Sequence, residues 1–395
     1  MNILFVSSQF PNPAEPNRGV FSLQIVRELR ALADVRVVAP VPTLGPFTPL
    51  DALKHWRTAY RVPERHTIDG AAVYHPAYFA MPGMGFTHAM SLYRPLKALL
   101  AEIRASWRID AINCHWLFPD GVAVRAASED ARIPLLLTAL GDDLNRLGEF
   151  PWRRQRVTRA LVTADAVSVL STPMYEQCLR LGVDRARLHL IPNGVDLDTF
   201  ALLDRTTCRA SLNMPSDAQV ILFVGSLVPV KNVALLLRAF STLRGSRAQG
   251  PLKLYVVGSG FLERDLRQLA AELRIDGDVL FAGAVAHHEL PTWMNAADCL
   301  CLPSLSEGHP NVVMEALACG LPVVASAVGS VPDYVDGRNG RVFATTDQAG
   351  LSDALAACLS TRYDRERIRS TVADKSWRRC AAEYFAVLSA FVGKN

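Results

Sequence analysis

The sequence predicts an α/β protein built from two doubly wound domains of similar size. Three observations carry that expectation. Short apolar runs alternate with segments of helical spacing along most of the chain, the pattern of parallel strands with helices on both faces. The alternation is broken by Pro192 and Asn193-Gly194, a turn signal, and then begins again. The chain has 395 residues, 50% hydrophobic and 20% charged, which is enough for two or three cores and excludes a mainly disordered protein.

Element by element, Asn2–Val6 reads as the first strand. A helix follows over 20–32, with Phe21, Leu23, Ile25, Val26, Leu29 and Leu32 at helical spacing, and then a strand at 35–39. An irregular stretch to about residue 87 precedes a helix at 89–107, a strand at 110–114, a helix at 119–128 and a strand at 133–138. A helix at 151–163, a strand at 166–170, a short helix and a strand at 187–191 complete the first half. The second half gives strands at 220–225, 252–257, 278–281, 298–302 and 322–325. Helices at 231–243, 261–273, 289–295 and 310–319 lie between them. The segment 376–391 is helical, with Trp377, Tyr384, Phe385, Leu388 and Phe391 as one apolar stripe. The domains are expected at 1–192 and 193–375, with the helix from 376 to 395 packing on the first.

Several classes fall away. No apolar stretch approaches the length of a membrane span, and MNILFVSSQFP lacks the basic start of a signal peptide. The eight cysteines form no CxxC pair, so buried reduced thiols and a cytoplasmic setting are expected. Net charge is +4, with +5 in residues 1–187 and −1 in the remainder. That basic bias suits an anionic surface near the first domain and lacks the dense stripe of a nucleic-acid binder. A dinucleotide enzyme should carry G-x-G-x-x-G after a first strand. The chain reads SSQFPNP after Val6 and GSLVPV after Val224.

The densest chemistry lies in Ser304–Ser326, SLSEGHPNVVMEALACGLPVVAS. Gly308 and Pro310 open a helix, and Gly320 and Pro322 close it. Glu315 is the one charge on that apolar helix, Asn311 stands a turn earlier on its face, and Glu307 precedes it in the loop. An isolated carboxylate on a buried helix is costly unless a polar group meets it. Loop amides, a helix N-terminus and two carboxylates therefore converge, suited to binding oxygens and sugar hydroxyls. The residues alone allow equally a surface glutamate and a satisfied core glutamate.

Within E-G-x-P-N-x-x-x-E-A-x-x-x-G-x-P-V, the Glu307–Glu315 spacing resembles the signature of the retaining glycosyltransferases of family four. The resemblance extends through IPNGVD at 191–196, FVGSLVPVKN at 223–232, VVGSG at 256–260, GAVAHHEL at 283–290 and WMNAADCLCLPSLSEG at 293–308. The blocks HPAYFAMPG at 75–83 and HWLFPDG at 115–121 resemble members that build cell-surface polysaccharides, including teichuronic-acid-type enzymes. The resemblance implies the GT-B fold, two Rossmann-like domains facing across a cleft, with the last helix crossing back to the first. It implies closure about hinges near residues 193 and 375.

Carried onto this sequence, the resemblance gives Glu307 the donor sugar's hydroxyls, helped by the backbone of Gly308, His309, Pro310 and Asn311. Glu315 is implied to bind the ribose of the nucleotide and Lys231 to neutralise its diphosphate. The backbone around Val285 and His287 is implied to read the base; His287 and His288 themselves read as surface or backbone-supplying residues. Gly19 would let backbone approach the phosphates, and His115 would face the donor sugar or the reaction centre. Asp142 and Asp143 are candidates on the acceptor side. Members usually carry Arg where this chain has Ser226, and Arg18 is the expected substitute cation.

The implied reaction moves a hexosyl or N-acetylhexosaminyl group from a nucleotide-diphosphate sugar, with retention and without a metal, to a glycan or lipid-linked glycan acceptor. The donor is expected to be a UDP-sugar, with a GDP-sugar as the alternative; no cofactor and no nucleic acid is expected. Alternatives are an epimerase or phosphorylase on the same fold, and a non-catalytic nucleotide-sugar-binding protein. Peripheral contact with an anionic membrane, at the inner face of the cell membrane, is expected through the first domain. Its candidate segment is 53–66, where Lys54, Arg57, Arg61 and Arg65 mix with Trp56 and Tyr60. Helix 89–107 reads instead as a core helix with a solvated face.

Overall fold

The computed structural model describes residues 1–16, 18–44, 62–81, 83–246 and 250–392. Lys54, Trp56, Arg57, Tyr60 and Arg61, which carry most of the membrane expectation, lie outside the described residues. The chain divides into two compact units: Met1–Asn193 together with the helix beginning at Trp377, and Gly194–Ser376.

The strands of the first unit are β1 (Asn2–Val6), β2 (Asp34–Val38), β3 (Val41–Thr43), β4 (Arg65–Ile68) and β5 (Ala71–Tyr74). They continue with β6 (Ala77–Phe79), β7 (Ala111–His115), β8 (Leu135–Ala139), β9 (Ala166–Val169) and β10 (Leu188–Leu190). Eight of them form one sheet in the order β10-β9-β8-β7-β1-β2-β5-β4, parallel except for β4 against β5. Strands β7 and β8 are buried at every position, as centre strands covered on both faces must be. The helices are α1 (Val20–Leu29), α2 (His88–Ser106), α3 (Val122–Ala131), α4 (Asp142–Asn145), α5 (Pro151–Thr163) and α6 (Thr172–Arg180).

The second unit has a six-stranded parallel sheet. Its strands are β11 (Gln219–Val224), β12 (Leu252–Val257), β13 (Val279–Gly283), β14 (Cys299–Leu302), β15 (Val323–Ser326) and β16 (Gly340–Phe343), in the order β13-β12-β11-β14-β15-β16. Its helices are α7 (Arg205–Ser211), α8 (Val233–Ser246), α9 (Glu263–Glu272), α10 (Leu290–Ala296), α11 (Asn311–Ala318), α12 (Val331–Tyr334), α13 (Gln348–Ser360) and α14 (Arg365–Ser370). Helix α15 (Trp377–Val392) then returns to the first unit. Its Trp377, Cys380, Ala381, Tyr384 and Leu388 share a core with Leu23, Ile25, Val26 and Leu29 of α1. All eight cysteines are free and buried.

Most of the strands and helices assigned from the sequence agree to within a few residues; β16, α12, α13 and α14 lie in 326–375, where none is assigned. The stretch before residue 87 differs. It holds β3, β4, β5 and β6 where an irregular segment is expected, because these strands are only three or four residues long and give little periodicity. Helix α3 begins three residues later than expected. The segment Leu117–Gly121 forms a separate distorted turn ahead of it, with Phe118 in extended geometry.

Candidate active site

In the second unit β11 is the first strand. Strands β12 and β13 extend the sheet to one side of it, and β14, β15 and β16 to the other. The chain therefore changes direction between β11 and β14, where open α/β sheets bind ligands beyond their strands' carboxyl ends. Two of the sequence-predicted residues meet here. Lys231, after β11, places Nζ 2.5 Å from Oε1 of Glu307, after β14. The Leu305 N–H donates to the Val230 carbonyl at 2.7 Å and ties the two loops together. Both side chains keep some exposure, 22% for Lys231 and 11% for Glu307.

The loop from Glu307 to Asn311 is braced from behind. Ser330 N–H donates to the Gly308 carbonyl at 3.1 Å, and His309 Nδ1 meets Ser330 Oγ at 2.9 Å. The His309 ring stands edge-on to Tyr334 with centroids 5.3 Å apart. Gly329 sits in the left-handed region at φ +55°. A Cβ there would lie 2.5 Å from the Glu307 carbonyl oxygen. Gly308, His309 and Pro310 are buried, and Asn311 opens α11 half-buried.

Helix α11 buries Val313, Met314, Ala316, Leu317 and Ala318 and leaves Glu315 partly open. Its Oε1 lies 2.9 Å from His287 Nε2. His287 keeps a surface position, with 37% of its side chain exposed, while it engages this carboxylate; His288 is exposed. The Glu315 hydrogen bond is the main cause raising the His287 pKa, with Asp196 adding to it and burial opposing. Val285 is half-buried in the same loop, and Ser226 is exposed.

The first unit changes direction between β1 and β7. Here Asp120, in the turn after β7, accepts from the Ser8 N–H after β1 at 2.6 Å. Asp120 is wholly buried, and its Oδ1 has no hydrogen-bond partner. Burial is the main cause raising its pKa, to about 7, against the Ser8 hydrogen bonds and the charge of Arg18.

His115 differs from expectation. Its ring is fully buried, with centroids 4.6 Å from Phe5 and 5.1 Å from Tyr384. Neither ring nitrogen has a hydrogen-bond partner, and burial lowers its pKa to about 3. The cause is α15, whose Tyr384 covers the end of β7. Asp142 and Asp143 diverge. Asp142 is exposed, whereas Asp143 is buried and accepts from the Leu117, Leu140 and Gly141 amides at 2.9–3.0 Å, bracing the turn. Burial raises the Asp143 pKa to about 6. Gly19, at φ +57°, starts α1, and a Cβ there would lie 2.1 Å from the Gln9 carbonyl oxygen. The fold thus needs this glycine for its own loop. Arg18 pairs with Glu15 at 2.8 Å.

Comparison with known proteins assigns both units. Residues 204–374 match the family model described as glycosyl transferases group 1, and residues 19–194 match the glycosyl transferase 4-like domain. The putative teichuronic acid biosynthesis glycosyltransferase TuaC of Bacillus subtilis is 31% identical, with 100% of this chain and 96% of that protein aligned. The chain belongs to this glycosyltransferase family. D-inositol 3-phosphate glycosyltransferase of Mycobacterium tuberculosis is 38% identical over 52% of this chain and 43% of its own length. Among solved structures, sucrose-phosphate synthase from Thermosynechococcus elongatus has a TM-score of 0.77 at 19% identity, covering all of both chains. Anabaena HepE in complex with UDP has a TM-score of 0.75 at 21% identity, covering 99% of this chain and 100% of that one. The GT-B fold is shared by this glycosyltransferase and those proteins.

Two features of the transferase escape a reading of the sequence. Asp120 has only the Pro-Asp-Gly after a strand end as a signal, and that also marks an ordinary turn. The His287–Glu315 contact joins a loop residue to one on α11, 28 positions on, and nothing local in the sequence marks it.

Proposed function

We propose that this transferase moves a sugar from a nucleotide-diphosphate donor to a glycan or lipid-linked acceptor with retention of anomeric configuration, in cell-surface polysaccharide synthesis. The observation carrying this reading is the Lys231–Glu307 pair at the turning point of the second sheet. A carboxylate and an ammonium side by side suit a substrate that is hydroxyl-rich at one end and anionic at the other. Glu307 accepts from the sugar's hydroxyls, and Lys231 moves from Glu307 toward the leaving diphosphate. The anomeric carbon–oxygen bond to the diphosphate breaks through an oxocarbenium-like transition state. The acceptor oxygen forms the new bond on the same face and gives up its proton to the departing diphosphate oxygen. Charge gathering on the diphosphate is met by Lys231 and by amides of the Gly308–Asn311 loop, without a metal. Glu315 holds the ribose.

Incubating the protein with UDP- and GDP-sugars and an acceptor extract, then assigning the product anomer by NMR, tests the reading. Retained configuration and activity unchanged by EDTA are expected. Inversion would overturn the first claim. Loss with EDTA and rescue by magnesium or manganese would overturn the second.

Contact with an anionic membrane is the second part of the proposal. Around a groove of about 660 Å³ between α2, α3 and α5 stand Arg94, Arg125, Arg156, Arg159 and Met90. Met90 is exposed, as is Phe86, whose carbonyl Arg156 holds. Basic side chains beside exposed apolar ones favour an anionic lipid surface. No helix among the described residues is long and apolar enough to cross a membrane. Met90→Asp with Arg159→Glu should abolish sedimentation with phosphatidylglycerol vesicles, and full retention would exclude this face.

A further inference from the structure

His287 has a place in the structure that a base-reading backbone does not require. Its Nε2 meets Glu315 Oε1 at 2.9 Å, and its ring stands edge-on to Phe200 with centroids 5.2 Å apart at 66°. On the segment before α7, Asp196 is near enough that its charge and that of His287 each shift the other's titration. Asp196 is itself fixed, accepting from the Asp198 and Thr199 amides at 3.1 and 3.0 Å and from Thr199 Oγ1 at 2.7 Å. The turn that carries His287 is closed by the Ala286 N–H donating to Glu289 Oε2 at 2.9 Å. The imidazole is thus held by the Glu315 carboxylate and the Phe200 edge, with the charge of Asp196 within reach, and these come from two separately anchored parts of the unit.

We infer that His287 is the positioning residue for Glu315, fixing Oε1 so that Oε2 is presented to a hydroxyl of the donor's ribose. A glutamate side chain otherwise loses several rotatable bonds' freedom when it binds a ligand. A carboxylate already oriented by a second hydrogen bond avoids part of that loss, as outer partners do for metal-binding side chains. The charge has a second effect. With His287 protonated, the cluster of His287, Glu315 and Asp196 carries one negative charge; with it neutral, two. Nucleotide diphosphates are anionic, so affinity should fall as pH rises through the His287 titration, which Glu315 moves upward from the ordinary histidine range. This inference rests on the assignment of Glu315 to the ribose.

The test uses the full chain and two probes, UDP and 2′,3′-dideoxy-UDP, with affinity measured by calorimetry between pH 6 and 8.5. His287→Ala should weaken UDP by roughly three- to tenfold, the range of a lost hydrogen bond. It should weaken the dideoxy compound less, by no more than the lost imidazolium charge accounts for, with the gap between the two probes largest at pH 8.5. His287→Gln keeps a neutral donor, so it should hold much of the UDP affinity at pH 8 while flattening the pH dependence. Equal weakening of both probes by His287→Ala would overturn the inference, because the side chain would then not act through the ribose. Parent-like binding by both variants would also overturn it. Glu315→Ala separates the two claims. If it leaves UDP affinity untouched, the ribose assignment itself fails; if it weakens UDP while the His287 variants do not, only the positioning role fails. Thermal melting of the unliganded variants checks folding.

Discussion

The two sheets reverse direction in the same way, and each bridges the reversal with a polar contact, yet the two contacts are opposite in character. In the second unit, Lys231 and Glu307 face each other at 2.5 Å, charged on both sides and partly exposed. In the first, Asp120 accepts from the Ser8 backbone at 2.6 Å, fully buried, with one oxygen unpartnered and its pKa raised to about 7. The same topology thus yields an open ion pair in one unit and a sealed carboxyl in the other. An open ion pair exchanges partners easily when a ligand arrives. A sealed carboxyl is a part of the fold, and its protonation is felt as stability. The reversal point of a doubly wound sheet is therefore a place where polar groups gather, and burial decides whether they act on ligands or on the chain.

The largest expected effect breaks the second unit's side of this comparison. Glu307→Gln keeps the shape and removes the charge that pairs with Lys231 and that the proposed reaction gives to the donor sugar. Turnover should drop on the order of a hundredfold or more, as when one group stabilising a transition state is removed. Affinity for UDP alone should stay within a few fold, since Glu307 is assigned to the sugar. A large loss of UDP binding would mean that the pair serves the nucleotide.

The next effect breaks the first unit's side, and it is read in stability. Asp120 has a folded pKa of about 7 against an ordinary 3.8, so the folded state holds its proton longer. Its contribution is present at low pH and is lost as pH rises from about 4 to about 7. His115 runs the other way. Its folded pKa is about 3 against an ordinary 6.5, so its contribution is present above pH 6.5 and is lost as pH falls toward 3. A folded pKa displaced by one pH unit changes stability by about 1.4 kcal/mol, so each group contributes a few kcal/mol across its window. Melting temperature against pH should fall less steeply between pH 5 and 7 in Asp120→Asn than in the parent. The loss below pH 6 should be reduced in His115→Gln. Parent-like profiles in both would mean that these groups are not dry.

Gly329→Ala sharpens the comparison by disturbing the open site from behind. Its Cβ would stand 2.5 and 2.7 Å from the Glu307 and Gly308 carbonyl oxygens at a backbone angle that disfavours alanine. A destabilisation of about 1–3 kcal/mol is expected, with turnover reduced through displacement of Glu307. Turnover equal to the parent's would show that the brace behind the loop is not needed.

The same contrast marks what the sequence makes legible. Parallel strands buried on both faces announce themselves as continuous apolar runs, so β7, β8, β11 and β14 are placed to within a residue or two. Glu315 stands out as the one charge on an apolar helix, with Glu307 in the loop before it, whereas Lys231 and the roles of all three come from the family resemblance. What stays hidden depends on distant chain coming together. His115 reads as a site residue until α15, at the far end of the chain, lays Tyr384 over it. The partner of His287 stays hidden until its loop meets Glu315 on α11. Asp143 reads as an acceptor-side candidate until the turn after β7 lends it the Leu117 amide and the carboxylate is buried bracing that turn.

The smallest expected effect concerns the cation that the second unit lacks. Ser226 is exposed in the loop after β11, where the family resemblance leads one to expect Arg. Serine offers a phosphate one neutral hydrogen bond, and arginine a charged fork. Arg18 is the substitute that the sequence suggests. In the structure its Nη1 is 2.8 Å from Glu15, so it would have to leave that partner to serve the diphosphate. An exposed pair of this kind is worth at most about 1 kcal/mol, so Glu15 does not prevent the exchange. Ser226→Arg should tighten UDP about two- to tenfold, the range of one added charged contact to a phosphate. Arg18→Ala decides whether that charge is already supplied. If Arg18 acts on the diphosphate, its loss should weaken the donor and slow turnover, and Ser226→Arg should restore both in the double variant. If Arg18→Ala matches the parent while Ser226→Arg still tightens binding, Lys231 is the only side-chain cation assigned to the leaving group. If Ser226→Arg changes nothing, the loop after β11 does not meet the phosphates in this transferase.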